Sequence, residues 1–405
     1  MHVLFVHKNF PAQFGHIAGH LVRERGWKAT FVSETPPGVV EGIRKVQYRT
    51  TGGATDQTHY FSRTFENATW HAAGVYDALK GLRNSLAPDL IVGHSGFGST
   101  LFLTELFPQA PIVNLFEYFY RPHDCDMDFR PEFPPTEEDV LRARARNAMI
   151  MLDLEYCAAG YCPTEFQLSL FPDAYRPKLE AVHDGVDTSF WRPREDAAAL
   201  RAELGIPDGA RVVTYCSRGF EAMRGFDVFM RVAKRICEAR DDVVFLVVGS
   251  DRVAYGGDLR FTGGRSFRDH VLAQDAYDLE RIRFLGNVPP DALARILSLG
   301  DLHVYLTVPF VLSWSMIDAL ACGAIVLGSD TAPVREVIRH NENGLLRDFF
   351  DVDGLTATAL EVLEAPEDYA DVREAAVRTV RERYALEVVM PRMLALYERA
   401  AAGVR

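Results

Sequence analysis

Apolar residues fall into two alternating rhythms along this chain. Short unbroken apolar runs, each bounded by turn residues, read as strands buried on both faces. They lie at His2–Val6, Lys28–Ser33, Leu90–His94, Pro111–Phe116, Leu179–Val182, Arg211–Tyr215, Asp242–Val248, Ile282–Leu285, Leu302–Thr307 and Ala324–Leu327. Between them come stretches with apolar residues at helical spacing. In the first, Ile17, Ala18, Leu21 and Val22 share one face, and Gly26 supplies the stop. Further helical patterns cover residues 65–86, 136–156, 227–240, 290–299, 352–364, 367–383 and 386–401. A helix is also expected to start near Ser313–Ser315 and end at Cys322-Gly323. Strand and helix alternate throughout, which predicts parallel sheets built from β-α-β units. The alternation pauses at Pro193-Arg194-Glu195-Asp196. Two doubly wound Rossmann-like domains facing a cleft are expected, an N-terminal one over residues 1–190 and a C-terminal one over 191–385. The last helix, 386–405, is expected to cross back to the first.

Composition narrows the function classes. The chain has 405 residues, 48% hydrophobic, with a net charge of -12. That balance argues against a general nucleic-acid binder, which carries a basic stripe. No run reaches the roughly 18 apolar residues of a membrane span. The opening MHVLFVHKNF reads as a strand and not a signal peptide. The six cysteines show no metal-like pairing, so reduced thiols and a cytoplasmic location are expected.

Candidate chemistry gathers at strand ends, where open parallel sheets bind ligands. His94 ends one strand, and Glu117, Tyr118, Tyr120 and Arg121 follow the next. Ser95-Gly96-Phe97-Gly98 forms the turn after His94. Gly15 begins a helix, where its backbone could approach a ligand, but the G-x-G-x-x-G fingerprint of nicotinamide enzymes is absent. Arg218 and Arg224 straddle a turn after a strand, with Ser217–Gly219 and Gly225 beside them. Two guanidinium groups there can clamp phosphate oxygens. Ser313-Trp314-Ser315 opens a helix whose free N–H groups favour a phosphate, and serine capping accounts for the same residues. Asp318, one turn on, can accept hydrogen bonds from vicinal hydroxyls. Leu285, in FLGNV, could hold a flat base through backbone groups. No catalytic triad, H-E-x-x-H, Walker A loop or metal-ligand cluster is present, so no metal is expected.

At these residues a family resemblance becomes visible. VLFVHKNFPAQFGHIAGHL, HDGVDTSFW, SRGFEAMRGFDVFMRVA, IRFLGNVPPDALARILSLGDLHVYLT and MIDALACGAIVLGSDTAPVREVIRHNENGLL are similar to motifs of the retaining glycosyltransferases of family 4, which have the GT-B fold. The resemblance spans nearly the whole chain and is most specific in its second half. It implies a nucleotide-sugar donor, with a UDP-sugar favoured, held by the C-terminal domain without a metal. Arg218 and Arg224 would hold the pyrophosphate, and Asp318 would bind ribose as the second acid of the family's E-x7-E motif. His94 would lie near the transferred sugar and Gly15 near the diphosphate. Attack would come from the front side, with the leaving phosphate helping to deprotonate the acceptor hydroxyl. Phe310 stands where the first acid of E-x7-E belongs. That departure motivates a second reading, a catalytically weak or silent nucleotide-sugar-binding protein of the same fold; a third, from a different enzyme class, is a GT-B-like epimerase or phosphorylase. The acceptor, a glycan, protein or small molecule, is expected at Glu117, Tyr118, Tyr120 and Arg121. Self-association is compatible with the sequence.

Overall fold

The structure is a computed structural model and describes residues 1–403 except 37, 39 and 97–99. Phe97 and Gly98 of the turn after His94 therefore lie outside the described residues. The chain divides into two compact units. The first comprises 1–128, 135–185 and 386–405; the second comprises 129–134 and 186–385.

The first unit holds a seven-stranded sheet in the order β3-β2-β1-β4-β5-β6-β7. Its strands are β1 (His2–Val6), β2 (Lys28–Ser33), β3 (Ile43–Gln47), β4 (Leu90–His94), β5 (Ile112–Leu115), β6 (Ala159–Cys162) and β7 (Leu179–Ala181). Every pairing is parallel. The unbroken apolar runs have a direct cause here. Val3 and Phe5 point into one core cluster, and Leu4 and Val6 into another on the opposite face. The helix Gly15–Arg25 covers the first face. The helix Leu386–Ala401 covers it too, burying Val389, Met390, Met393, Leu396 and Tyr397. Arg25 donates to Glu398 at 2.7 Å, and Arg399 pairs with Glu180.

The second unit holds a six-stranded sheet in the order β10-β9-β8-β11-β12-β13. Its strands are β8 (Arg211–Gly219), β9 (Val243–Ser250), β10 (Ile282–Gly286), β11 (Leu302–Tyr305), β12 (Val326–Ser329) and β13 (Leu345–Arg347). All pairings are again parallel. In both sheets the first strand lies between two strands whose connections run in opposite directions. That is the topological switch point, where α/β sheets open a crevice at their carboxyl ends. In the first unit it falls at β1 and β4, and in the second at β8 and β11.

The structure corrects the sequence reading in several places. The unit boundary falls between Gly185 and Val186, and not after residue 190. Residues 129–134 join the second unit. Phe129 packs on Phe349 and Phe350, and Phe133 on Phe261 and Phe267. The helix expected over 136–156 is two, Glu137–Arg146 and Ala148–Tyr156. They break at Asn147, whose side-chain amide exchanges bonds of 2.9 and 2.7 Å with the backbone of Tyr120. The helix expected over 65–86 runs Arg63–Lys80. Ser217–Gly219, expected as a turn, extends β8, with a register shift between Ser217 and Gly219.

Candidate functional site

Two clusters of polar side chains sit at the two switch points. In the first unit β1 delivers His7 and β4 delivers His94, with ring centroids 5.0 Å apart and nearly perpendicular. Both rings are buried. His94 Nδ1 lies 2.7 Å from the carbonyl oxygen of Ser95, which sets the tautomer. His94 Nε2 lies 3.5 Å from a carboxylate oxygen of Glu117. Gln13 donates to the other Glu117 oxygen at 2.9 Å. Burial alone would favour the neutral imidazole. The charge and hydrogen bond of Glu117 outweigh it and raise the His94 pKa above its ordinary 6.5. Glu117 shifts the opposite way: burial would raise its pKa, but His94 and the Gln13 hydrogen bond bring it below the ordinary value. Each group thus favours the charged form of the other, imidazolium against carboxylate. His7 differs. Burial and the neighbouring His94 charge push its pKa down to about 3, so it stays neutral.

The remaining predicted residues of this unit divide by what they touch. Tyr118 is buried and donates to Asp126 at 2.7 Å. Tyr120 receives a bond of 2.6 Å from Arg146, whose guanidinium lies 3.6 Å above its ring. Arg121 donates to the carbonyls of Ser169 and Leu170, closing the end of the helix Glu165–Ser169. Its guanidinium is thus committed to backbone and not presented as a charged anchor. Gly15 begins its helix where an added Cβ would meet Pro11 at 3.1 Å. Tight packing against Pro11 thus accounts for a glycine there.

In the second unit β8 carries Arg218 at its end, and the short turn Ala222–Arg224 carries Arg224. Arg218 is exposed, and Arg224 is only 4% exposed. Arg224 donates to Thr307 Oγ1 at 2.7 Å and to the carbonyl of Val311 at 3.1 Å. Its own carbonyl accepts from Tyr215 at 2.9 Å. Gly225 follows at φ +61, and an added Cβ there would lie 2.6 Å from Leu306. Close backbone approach therefore requires glycine and lets the chain turn into the helix Phe226–Ala239. Both guanidinium groups lie against one ring. Tyr255 has Arg218 at 5.8 Å and Arg224 at 5.2 Å from its centroid. Among the described residues, neither arginine has a carboxylate partner. Two cations without carboxylate partners share an aromatic surface beyond the carboxyl end of β8, which suits a multiply charged anion.

The helix Trp314–Ala321 begins beside them. Ser313 caps it, accepting from Ser315 N–H, while Ser313 N–H donates to the Tyr305 hydroxyl at 2.9 Å. Ser315 is buried, but Trp314 is 47% exposed and turns its ring outward. Asp318 is partly covered one turn on, and burial pushes its carboxyl up to about 8. Leu285 packs beside the apolar cluster that includes Val212 and Ile296, so its side chain serves the core. Phe310 is buried edge-on to Tyr255, 5.7 Å between centroids. Among the described residues no group of three or more His, Cys, Asp or Glu could hold a metal ion. No described helix is long and apolar enough to cross a membrane.

Two family models match the chain: "Glycosyl transferase family 4 group" over residues 25–191 and "Glycosyl transferases group 1" over 196–379. The chain belongs to the family 4 glycosyltransferases. Its fold is the GT-B fold. It is 99% covered at TM-score 0.73 and 17% identity by sucrose-phosphate synthase from Thermosynechococcus elongatus, itself 99% covered. HepE from Anabaena, solved with UDP-glucose, aligns at TM-score 0.71 and 14% identity over 98% of each chain. Among relatives by sequence, N-acetyl-alpha-D-glucosaminyl L-malate synthase of Bacillus anthracis is 24% identical over 54% of this chain and 53% of its own. D-inositol 3-phosphate glycosyltransferase of Nocardia farcinica is 30% identical over 49% and 42%. The chain thus spans about half the length of the curated relatives it matches. Against its family, this glycosyltransferase-family chain keeps an acid at Asp318 but has none from Thr307 through Met316.

Sequence reasoning missed Tyr255, His7, Gln13 and Thr307. His7 and Thr307 follow β1 and β11, so the strand-end rule that selected His94 would have selected them too. Tyr255 left no such signal. It sits in a glycine-rich loop, and only the folded chain brings its ring to the arginines.

Proposed function

We propose that this protein is a retaining glycosyltransferase that moves a sugar from a nucleoside-diphosphate sugar to an acceptor hydroxyl. The observation that carries the reading is the pair Arg218 and Arg224, without carboxylate partners among the described residues, gathered on Tyr255 beside a capped helix start. A diphosphate held there has its charge met by guanidinium groups and N–H donors, so the protein itself supplies the stabilisation a metal would give. The same groups stabilise the charge that grows on the leaving phosphate as the glycosidic bond breaks. Asp318 is one turn from that helix start, within the span a nucleoside ribose would occupy. For His94 the proposed role is that of a charged hydrogen-bond donor to a substrate oxygen. The HepE structure with UDP-glucose supports a uridine donor on this fold.

Calorimetry with UDP, followed by a panel of nucleotide sugars, tests the reading. The Arg218→Ala chain is expected to bind UDP about 10-fold more weakly, the effect of one lost charge-assisted bond. Its melting temperature should be unchanged, because Arg218 is exposed. The proposal fails if no nucleoside diphosphate binds the intact protein. The absence of an acid from Thr307 through Met316 favours a second reading, donor binding without transfer. UDP release in the presence of donor and acceptor panels separates the two: binding without any release or hydrolysis selects the second.

A further inference from the structure

A cavity lies in the C-terminal unit, at the opposite end of the helix Trp314–Ala321 from the capped start. Its volume is about 610 Å³, within the range of small-molecule sites. The floor is Cys322-Gly323, where that helix ends, and one wall is the helix Ala370–Arg383. Four arginines line it: Arg194, Arg373, Arg378 and Arg381. Against them stand two carboxylates, Glu374 and Glu382, which leaves the lining with an excess of two positive charges. Among the described residues, Arg373, Arg378 and Arg381 make no ion pair or hydrogen bond, with those carboxylates or with the carbonyls at the helix end. Arg194 is largely covered. It reaches Asp291 at 3.3 Å with one nitrogen, while its Nε is buried and unbonded.

Helix geometry explains why the charges converge. Arg373, Val377 and Arg381 recur every four residues and so share one face, turned to the cavity. A guanidinium added only to offset the helix carbonyls would hydrogen-bond them, and these do not. We infer that this cavity is a binding site for a small phosphorylated anion, separate from the donor site. The planar forks of Arg373 and Arg381 would take phosphoryl oxygens two at a time.

The probe is inorganic pyrophosphate, titrated by calorimetry into the intact chain and into two variants. The expected result is a second binding event, beside that of the donor site, that weakens at least 10-fold in Arg373→Ala/Arg381→Ala and persists in Arg218→Ala. The first variant changes only side chains without bonding partners, and its far-UV spectrum and melting temperature are expected to match the parent's. Should it fail to fold, Arg378→Ala gives the same reading at a single exposed position, with weakening of about threefold or more. The inference is overturned if pyrophosphate does not bind. It is equally overturned if binding is lost in Arg218→Ala and kept within twofold in the cavity variants. Because UDP is titrated separately, failure of the donor site leaves this result readable.

Discussion

The pKa of His94 is raised chiefly by Glu117, with smaller help from the Ser95 carbonyl and Asp184. Burial disfavours the imidazolium, and Glu117 restores it. Replacing Glu117 with Gln should therefore lower the His94 pKa, read from its ring proton shifts by NMR, to below 6.5. A value unchanged from the parent would show that Glu117 does not hold the charge. The pair also has a stability signature. The raised His94 pKa contributes stability that is full below 6.5 and lost as pH rises through the folded value. The lowered Glu117 pKa contributes stability present above its ordinary 4.5 and lost as pH falls. Asp318 acts in the other sense from Glu117. Its carboxyl keeps its proton in the folded chain up to about 8, but loses it near 3.8 when unfolded. Its contribution to stability thus declines as pH rises between these values. Asp318→Asn should flatten that part of the curve, so its melting temperature gains on the parent's from pH 5 to pH 8; parallel curves would refute the assignment.

At the scale of elements, the site rests on how two helices begin. Gly225 adopts φ +61 with Leu306 against it. Gly225→Ala should cost about 2 kcal/mol or more in urea unfolding, from backbone strain plus the displaced Leu306. UDP affinity should fall with it, because Arg224 is the preceding residue. The other helix depends on Ser313. Removing the cap in Ser313→Ala should cost about 1 kcal/mol. The loss would be smaller if the Tyr305 hydroxyl, which accepts from the Ser313 backbone, suffices to hold the turn. A further element-scale lesson concerns the stretch 136–156. Its helical periodicity runs through Asn147 without a break, yet the fold interrupts it. The Asn147 amide satisfies the Tyr120 backbone, a partner 27 residues away that no local pattern can reveal.

At the scale of the molecule, each unit carries a complete parallel sheet with apolar clusters, and the last helix belongs to the first unit. Leu396 is 2% exposed in the cluster that includes Val3 and Phe5. Leu396→Ala, in the last helix, should destabilise by about 2–5 kcal/mol in the transition that reports the N-terminal unit. A surface-like cost below about 0.5 kcal/mol would mean that the helix is not docked there. The segment 129–134 makes the same point in reverse. Arg130 bonds both oxygens of Asp227 at 2.8 Å and the carbonyl of Ala222 at 2.7 Å. The turn bearing Arg224 is thus held by a residue nearly a hundred positions upstream.

The sequence by itself determined the class of fold. Unbroken apolar runs can be buried only in a sheet covered on both faces, and strands separated by amphipathic helices pair in parallel. It also located His94, Arg218, Arg224 and Ser313, because ligand chemistry in such sheets collects at strand ends and helix starts. Tertiary structure decided which of those residues keep a free hand. Arg121 and Arg218 look alike in sequence. The fold commits the first to the carbonyls of a helix end and leaves the second exposed, without a carboxylate partner among the described residues. It also brought Tyr255 across from a glycine-rich loop and set Glu117 against His94. Charge, burial and contact between residues distant in the chain are properties of the packed molecule, and local pattern carries no record of them.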